Sequence, residues 1–338
     1  MIRADSCMPK SDYRIVPVTL LFLYSEVAGL VAVCFRVCED RLFFYTFDVK
    51  EYNSYTHDQT VSQSIEAMNN SRKKSDKHMN YFVEGLQGSG KSTLVQKLSE
   101  LHPKHTAIRE GDYSPVELAW CAYVDEEVYR KILEKYSDIR SMIEEKTFVE
   151  GNNRIICYTQ IITDIPGFHK DLEQYEIYNG RRSYDEFKEI VLRRYKAWQQ
   201  DQMIFECSLF QNTIEDMILF RCASDEEILE YYRLVREALE GRDYRILYLQ
   251  AEDLRANLDV IRKERSDDQG NEMWFPLMSR YFDESPYAKA NGLQGTGDLI
   301  RHFEHRQQLE LRICEEVFSD RCTILTSKNY TEQEIAVI

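Results

Sequence analysis

The chain has 338 residues, enough to bury a sizeable core in one large domain or two, and with 43% hydrophobic and 30% charged residues it reads as globular. Asp and Glu outnumber Lys and Arg by 58 to 43; residues 1–78 hold ten of each, so the net charge of −15 lies in the rest, and so acidic a body repels phosphate backbones and argues against nucleic acid as a partner. Nine scattered cysteines, with no Cys-x-x-Cys pair, exclude a disulfide framework or a zinc ribbon and lead us to expect a reducing, cytoplasmic setting.

Residues 15–35, IVPVTLLFLYSEVAGLVAVCF, are long enough to cross a bilayer. Pro17, Ser25 and Glu26 interrupt them, and a carboxylate at the centre of a span costs about 2.5–3.5 kcal/mol, which argues against a membrane anchor. The run continues into FRVCEDRLFFYTFDV, so three β-rich segments at 14–24, 29–37 and 41–49 are expected to form a small meander. Residues 1–49 thus read as a β-rich appendage and 50–78 as a polar linker. Met79 comes next, and the working domain is expected to start there and fill 79–338, with 1–78 an appendage or an upstream extension of the reading frame.

Past Met79 the pattern alternates. A strand is expected at 81–84, a helix at 91–101 and a second strand at 106–109. A largely helical region follows at 116–147, and 154–167 reads as a strand-rich part of an insertion near 147–182. The remaining elements are a helix at 183–200 capped by Ser183, a strand at 203–207, helices at 211–221 and 225–240 and a strand at 244–250. A helix at 299–318, a strand at 322–327 and a short helix at 331–335 close the chain. Strands separated by helices predict an α/β fold with an open, mostly parallel sheet.

The stretch Gly85-Leu86-Gln87-Gly88-Ser89-Gly90-Lys91-Ser92 fits the pattern G-x-x-x-x-G-K-[ST] at every fixed position, after a short strand and before a helix former. Glycines let such a loop fold back so that its N–H groups converge on phosphate oxygens, and the next helix adds its positive end. Gly85, Gln87, Gly88, Ser89, Gly90, Lys91, Ser92 and Thr93 are therefore the expected nucleotide cradle. Lys91 would reach the β- and γ-phosphates of ATP, and Ser92 would face Mg²⁺. A near copy, GLQGTGD at 292–298, carries Asp298 in place of the cation, which would repel a phosphate; Asp298 reads instead as the cap of a helix starting at Leu299.

A phosphate cradle needs partners to do chemistry. Glu206 ends the apolar run MIFE and is the candidate second Mg²⁺ ligand. In AIREGDYSPVELAW, Glu110 or Asp112 would emerge at the same sheet edge as the loop and could act as the base for an acceptor hydroxyl, with Tyr113, Trp120 and Tyr123 as candidate walls. Arg255, Arg262, Lys263 and Arg265 recur at helical spacing after 244–250, and Arg262 and Arg265 are the expected lid cations over the transferring group. Arg193 and Arg194 could meet substrate phosphate or form surface pairs, whereas His302 and His305 read as a solvated helix face and His169 as isolated.

From 79 to 338 the chain resembles the P-loop kinases of the nucleoside and nucleotide kinase group, such as deoxynucleoside and thymidylate kinases. VEGLQGSGKSTL looks like their first strand, loop and helix, and REGDYSPVELAW is similar to their glutamate-proline-tryptophan segment. YLQAEDLRANLDVIRKER looks like their fourth strand and arginine-bearing lid. ILTSKNYTEQEI resembles their last strand and adenine-side loop, which would put residues 327–329 near the base. The departures are Cys207 after Glu206, where the family has arginine, and Gly111 after Glu110, where it has proline. The resemblance implies a P-loop NTPase three-layer sandwich that moves the γ-phosphoryl group of ATP, with Mg²⁺, to a small-molecule acceptor, a nucleoside or nucleotide first and an antibiotic-like hydroxyl as an open alternative. A GTPase-like or regulatory nucleotide-binding protein is the rival reading, because Asp164-Ile165-Pro166-Gly167 matches D-x-x-G; no N-K-x-D element accompanies it.

Overall fold

The computed structural model describes residues 78–336, apart from 267–268 and 273, together with strands at 20–25, 29–38 and 41–48. The chain divides into two compact units, Met1–Lys74 and Ser75–Ile338. In the first, β1 (Leu20–Ser25), β2 (Gly29–Cys38) and β3 (Arg41–Asp48) pair antiparallel in that order, the meander expected from the sequence. Residues 14–19 and the linker at 50–77 lie outside the described residues. Among the described residues no helix is long and apolar enough to cross a membrane.

The second unit opens with β4 (Asn80–Gly85), α1 (Lys91–Leu101) and β5 (Thr106–Ile108). Then come β6 (Ala122–Asp125), α2 (Glu126–Lys135), α3 (Arg140–Glu145), β7 (Thr147–Glu150), β8 (Asn153–Ile156) and α4 (Phe168–Glu173). After α5 (Tyr184–Ala197) the chain returns to the sheet through β9 (Met203–Glu206), α6 (Gln211–Leu219), α7 (Asp225–Ala238) and β10 (Tyr244–Gln250). It ends with α8 (Leu254–Glu264), α9 (Trp274–Asp283), α10 (Pro286–Asn291), α11 (Gly295–Glu316), β11 (Cys322–Thr326) and α12 (Glu332–Ala336).

Five strands form one parallel sheet in the order β11-β10-β4-β9-β5. β4 is buried along its whole length, as an apolar strand covered on both faces must be. Alternation sends Tyr81 and Val83 to one face, where they pack with Ile204, Leu247, Leu249 and with Leu94, Val95 and Leu98 of α1. Phe82 points the other way, stacks on Phe205 with centroids 5.0 Å apart, and joins the larger core beneath α5, α6, α7 and α11. The fold is thus α/β with helices on both faces of a parallel sheet. From β4 the chain runs outward to β5, returns to β9 and then crosses to β10 on the other side of β4. That reversal of strand order opens a crevice at the carboxyl end of β4, where ligands bind in such sheets.

One local expectation is refined and another corrected. The region 116–147 is largely helical, through Glu126–Lys135, Ser137–Ile139 and Arg140–Glu145, but β6 interrupts it and pairs antiparallel with β8, which pairs with β7, and this small sheet carries α2 and α4 on its own core. Four residues of alternation among helical signals look like a turn until the partner strand, thirty residues on, is known. The last long helix begins at Gly295 rather than Leu299, and Asp298 sits inside its first turn, where Oδ2 accepts from the N–H of Gln294 at 2.9 Å. Its Oδ1 accepts from Arg301. Side-chain satisfaction of an orphan helix N–H explains the residue, one turn away from the expected place.

His302 is also corrected, because it is buried rather than solvated: its Nε2 lies 3.1 Å from Glu215 Oε2. Arg306, fully buried one turn on, donates to Glu215 at 3.0 Å and to Glu310 at 2.8 Å, and Tyr248 donates to Glu310 at 2.8 Å. Burial alone would raise the Glu215 carboxyl, but His302 and Arg306 outweigh it and hold it at about 2. This network pins α11 to α6 and β10.

Candidate active site

The loop between β4 and α1 turns back on itself through glycines. Gly85 (φ +134) and Gly88 (φ +72) adopt backbone angles that only glycine holds without strain. A Cβ on Gly85 would stand 2.6 Å from the carbonyl of Leu249, and one on Gly88 would stand 2.0 Å from Cγ1 of Ile261 in α8. α8 therefore lies directly on the loop, and Asn257 Nδ2 fastens it by donating to Gln87 O at 2.9 Å. Gly90, the N-cap of α1, offers no side chain, so no side-chain hydrogen bond caps this helix start. Lys91 is buried and turns its ammonium back to donate to the carbonyls of Gly85 and Leu86, each at 2.8 Å.

A cleft of about 1150 Å³ opens over the loop. Gln87, Gly88, Gly90, Lys91, Ser92 and Thr93 of the expected cradle line it, while Gly85 and Ser89 are buried beneath. Ser89 Oγ and Gln87 Oε1 have no hydrogen-bond partner. Ser92 Oγ donates to Glu206, which ends β9 beside Val83 of β4 and lines the same cleft. These two groups fit an Mg²⁺ held mainly by phosphate oxygens and water: among the described residues no group of three or more His, Cys, Asp or Glu is placed to hold a metal by itself. Arg109 approaches Glu206 at 3.7 Å from the exposed side.

Glu110 also lines the cleft. Its Oε1 accepts from Trp120 Nε1 at 3.1 Å and from Gln211 Nε2 at 3.0 Å, two neutral donors that fix the carboxylate and leave Oε2 for another partner. Asp112 does something different: its oxygens accept from the backbone N–H of Arg109 at 2.9 Å and from Gln160 at 2.8 Å, building the turn rather than lining the cleft. Arg265 lines the cleft with its guanidinium 5.4 Å from the ring of Trp274, whereas Arg262 is tied to Glu272 at 2.8 Å and does not line it. Arg193 and Arg194 serve β7, pairing with Glu150. Of the aromatic candidates, Trp120 lines the cleft, Tyr113 stacks on Phe148 at 3.9 Å, and Tyr123 faces a smaller groove. In the closing loop, Ser327 Oγ donates to Ser89 O at 2.8 Å, while Lys328 and Tyr330 line the cleft beside Lys97.

The far wall was not legible in the sequence. Tyr158 donates to Glu176 at 2.6 Å, Asn179 Nδ2 lies 3.4 Å from the same carboxylate, and Tyr281 donates to Asn179 at 2.7 Å. Burial pushes the Glu176 carboxyl up to about 7 against the hydrogen bond from Tyr158 and the charge of Arg181. These residues come from the 3₁₀ turn at Tyr158–Gln160, the segment before α5, and α9, and no common pattern marks them. The element Asp164–Gly167 follows the antiparallel sheet rather than the parallel one, and neither Asp164 nor Gly167 lines the cleft.

Glu84, just before the loop, is fully buried and accepts from the N–H groups of Leu209 at 2.7 Å and Phe210 at 3.1 Å, which holds the end of the β9–α6 connection against β4. Burial pushes its carboxyl from 4.5 up to about 8, against those two hydrogen bonds and Lys91. A pKa raised on folding means that the folded chain holds a proton the unfolded chain has lost. The contribution is therefore complete below pH 4.5 and declines as pH rises towards 8, at up to about 1.4 kcal/mol per pH unit. Glu84→Gln removes this titration. The stability advantage of the wild type over Glu84→Gln should shrink between pH 5 and pH 8 in paired urea unfolding curves; a difference independent of pH would contradict the assignment.

No protein-family model matches the chain, and a search of curated proteins finds no match.

Proposed function

We propose that the chain is an ATP- and Mg²⁺-dependent phosphotransferase of the P-loop kind, working in the cytoplasm on the hydroxyl of a small molecule. The observation that carries this reading is convergence: Lys91, the Ser92–Glu206 pair and Glu110 come from three parts of the sequence and open onto one cleft at the carboxyl edge of the sheet. ATP with Mg²⁺ would supply the transferable phosphoryl group and its first charge neutralisation. Lys91 exchanges its two carbonyl partners for phosphate oxygens, and the uncapped amides of α1 add their dipoles. Ser92 and Glu206 would hold the Mg²⁺. Glu110, braced by Trp120 and Gln211, takes the proton of the attacking hydroxyl on its remaining oxygen. Arg265 meets the charge that develops on the transferring group, since Arg262 is engaged with Glu272.

The test is ADP release from Mg·ATP across a panel of hydroxyl acceptors that includes nucleosides and amino alcohols. Release that depends on an acceptor supports the reading. Slow hydrolysis of GTP in preference to ATP, indifferent to every acceptor, would favour the nucleotide switch instead.

A further inference from the structure

Seven carboxylates and five Lys or Arg line the cleft: beyond Glu206 the carboxylates are Glu110, Glu173, Glu176, Glu215, Glu264 and Glu284, and three of the cations, Lys91, Lys97 and Lys328, belong to the loop end, α1 and the closing loop. Arg265 and Arg280 line it too, but both are solvent-exposed, whereas Glu176 and Glu215 are only 3% and 6% exposed. The partners of Glu110 and Glu176 are neutral, namely Trp120 and Gln211 for one, Tyr158 and Asn179 for the other. Glu173 pairs with Arg181.

Glu215 adds a separate observation. Its Oε2 takes both His302 and Arg306, and its Oε1 is buried with no donor. A buried acceptor without a donor is costly to keep, and a guest N–H would offset that cost. Trp120, Tyr178, Trp274 and Tyr281 line the same cleft, and aromatic faces attract cations. Trp274 already presents its ring to the guanidinium of Arg265 at 5.4 Å.

We propose that the phosphoryl acceptor is an organic cation, a hydroxylated molecule whose protonated amines are held by Glu176 and Glu215, with Glu264 and Glu284 at the exposed edge. The proposal rests on the phosphotransferase reading above and adds the acceptor's chemical class to it. In the transfer, the acceptor oxygen bonds to the γ-phosphorus, the bond from that phosphorus to the β–γ bridging oxygen breaks, and the hydroxyl proton passes to Glu110. The amines stay protonated and unreacted. A nucleoside monophosphate would bring its own negative charge against buried carboxylates and is disfavoured in this cleft.

The probes are D-glucosamine and the tetra-amine amino sugar neamine, each paired with its N-acetylated form, with thymidine and thymidine monophosphate as uncharged and anionic comparators. Binding is read by calorimetry without nucleotide, and turnover by ADP release with Mg·ATP. At least one amine should bind at least tenfold more tightly than its acetylated form and release ADP, and Glu264→Gln/Glu284→Gln should weaken it severalfold without changing Mg·ATP affinity. Glu176→Gln should weaken it at least tenfold; the double variant at exposed positions carries the test if Glu176→Gln does not fold. Equal binding of amine and acetylated forms, binding by neither amine, or preference for thymidine or its monophosphate would overturn the proposal. Failure of Mg·ATP to bind would overturn the phosphotransferase reading instead, and the nucleotide-free titrations distinguish the two failures.

Discussion

Lys91→Ala is expected to reduce phosphoryl transfer by at least 10²-fold, on the order of losing one fixed charge donor from an active site. The ammonium lies 2.8 Å from two loop carbonyls and is 7% exposed, so its charge has nowhere to act except within the loop and the cleft above it. Truncation leaves the carbonyls of Gly85 and Leu86 without this donor, but the loop keeps its turn through the hydrogen bond from Ser89 N to Leu86 O at 3.2 Å, and α1 keeps Leu94, Val95 and Leu98 in the core. The variant should therefore fold, with a circular dichroism spectrum and unfolding midpoint near those of the wild type. Turnover within a few fold of the wild type in a folded Lys91→Ala protein would contradict the role given to the residue.

Glu110→Gln is the second large effect. An amide oxygen still accepts from Trp120 and Gln211, so the geometry survives while the capacity to accept a proton is lost. General-base catalysis is typically worth about 10²–10⁴-fold, and kcat should fall by that amount with KM for ATP almost unchanged. Asp112→Asn is the internal comparison. Its carboxylate is spent on the N–H of Arg109 and the amide of Gln160, so it should alter stability more than kcat. A larger kcat loss in Asp112→Asn than in Glu110→Gln would reverse the assignment of the base.

The strands of the parallel sheet and the glycine-rich loop after β4 were legible because their signals are local. The helix at Lys91–Leu101 and the strand at Tyr244–Gln250 fall where periodicity places them, and the capping box of Ser183 with Glu186 marks the start of α5. Glu206 was legible for a similar reason, as a carboxylate closing an apolar run. What sequence could not supply were pairings between distant segments. β6 looks like part of a helical region because its partner β8 is far along the chain. The choice between Glu110 and Asp112 depends on Gln211, a residue 101 positions from Glu110 that no motif singles out. His302 reads as solvated from its charged neighbours, yet Glu215 on another helix draws it inside. The second heptapeptide shares glycines with the first, but without a preceding strand its glycines end α10 and begin α11.

Direct titration of the purified chain with ATP in the presence of magnesium, by calorimetry, bears most closely on the phosphate cradle. A saturable heat with one nucleotide per chain, lost in Lys91→Ala while unfolding remains cooperative, is the result expected. No heat with ATP or GTP, or equal heats in wild type and variant, would contradict it.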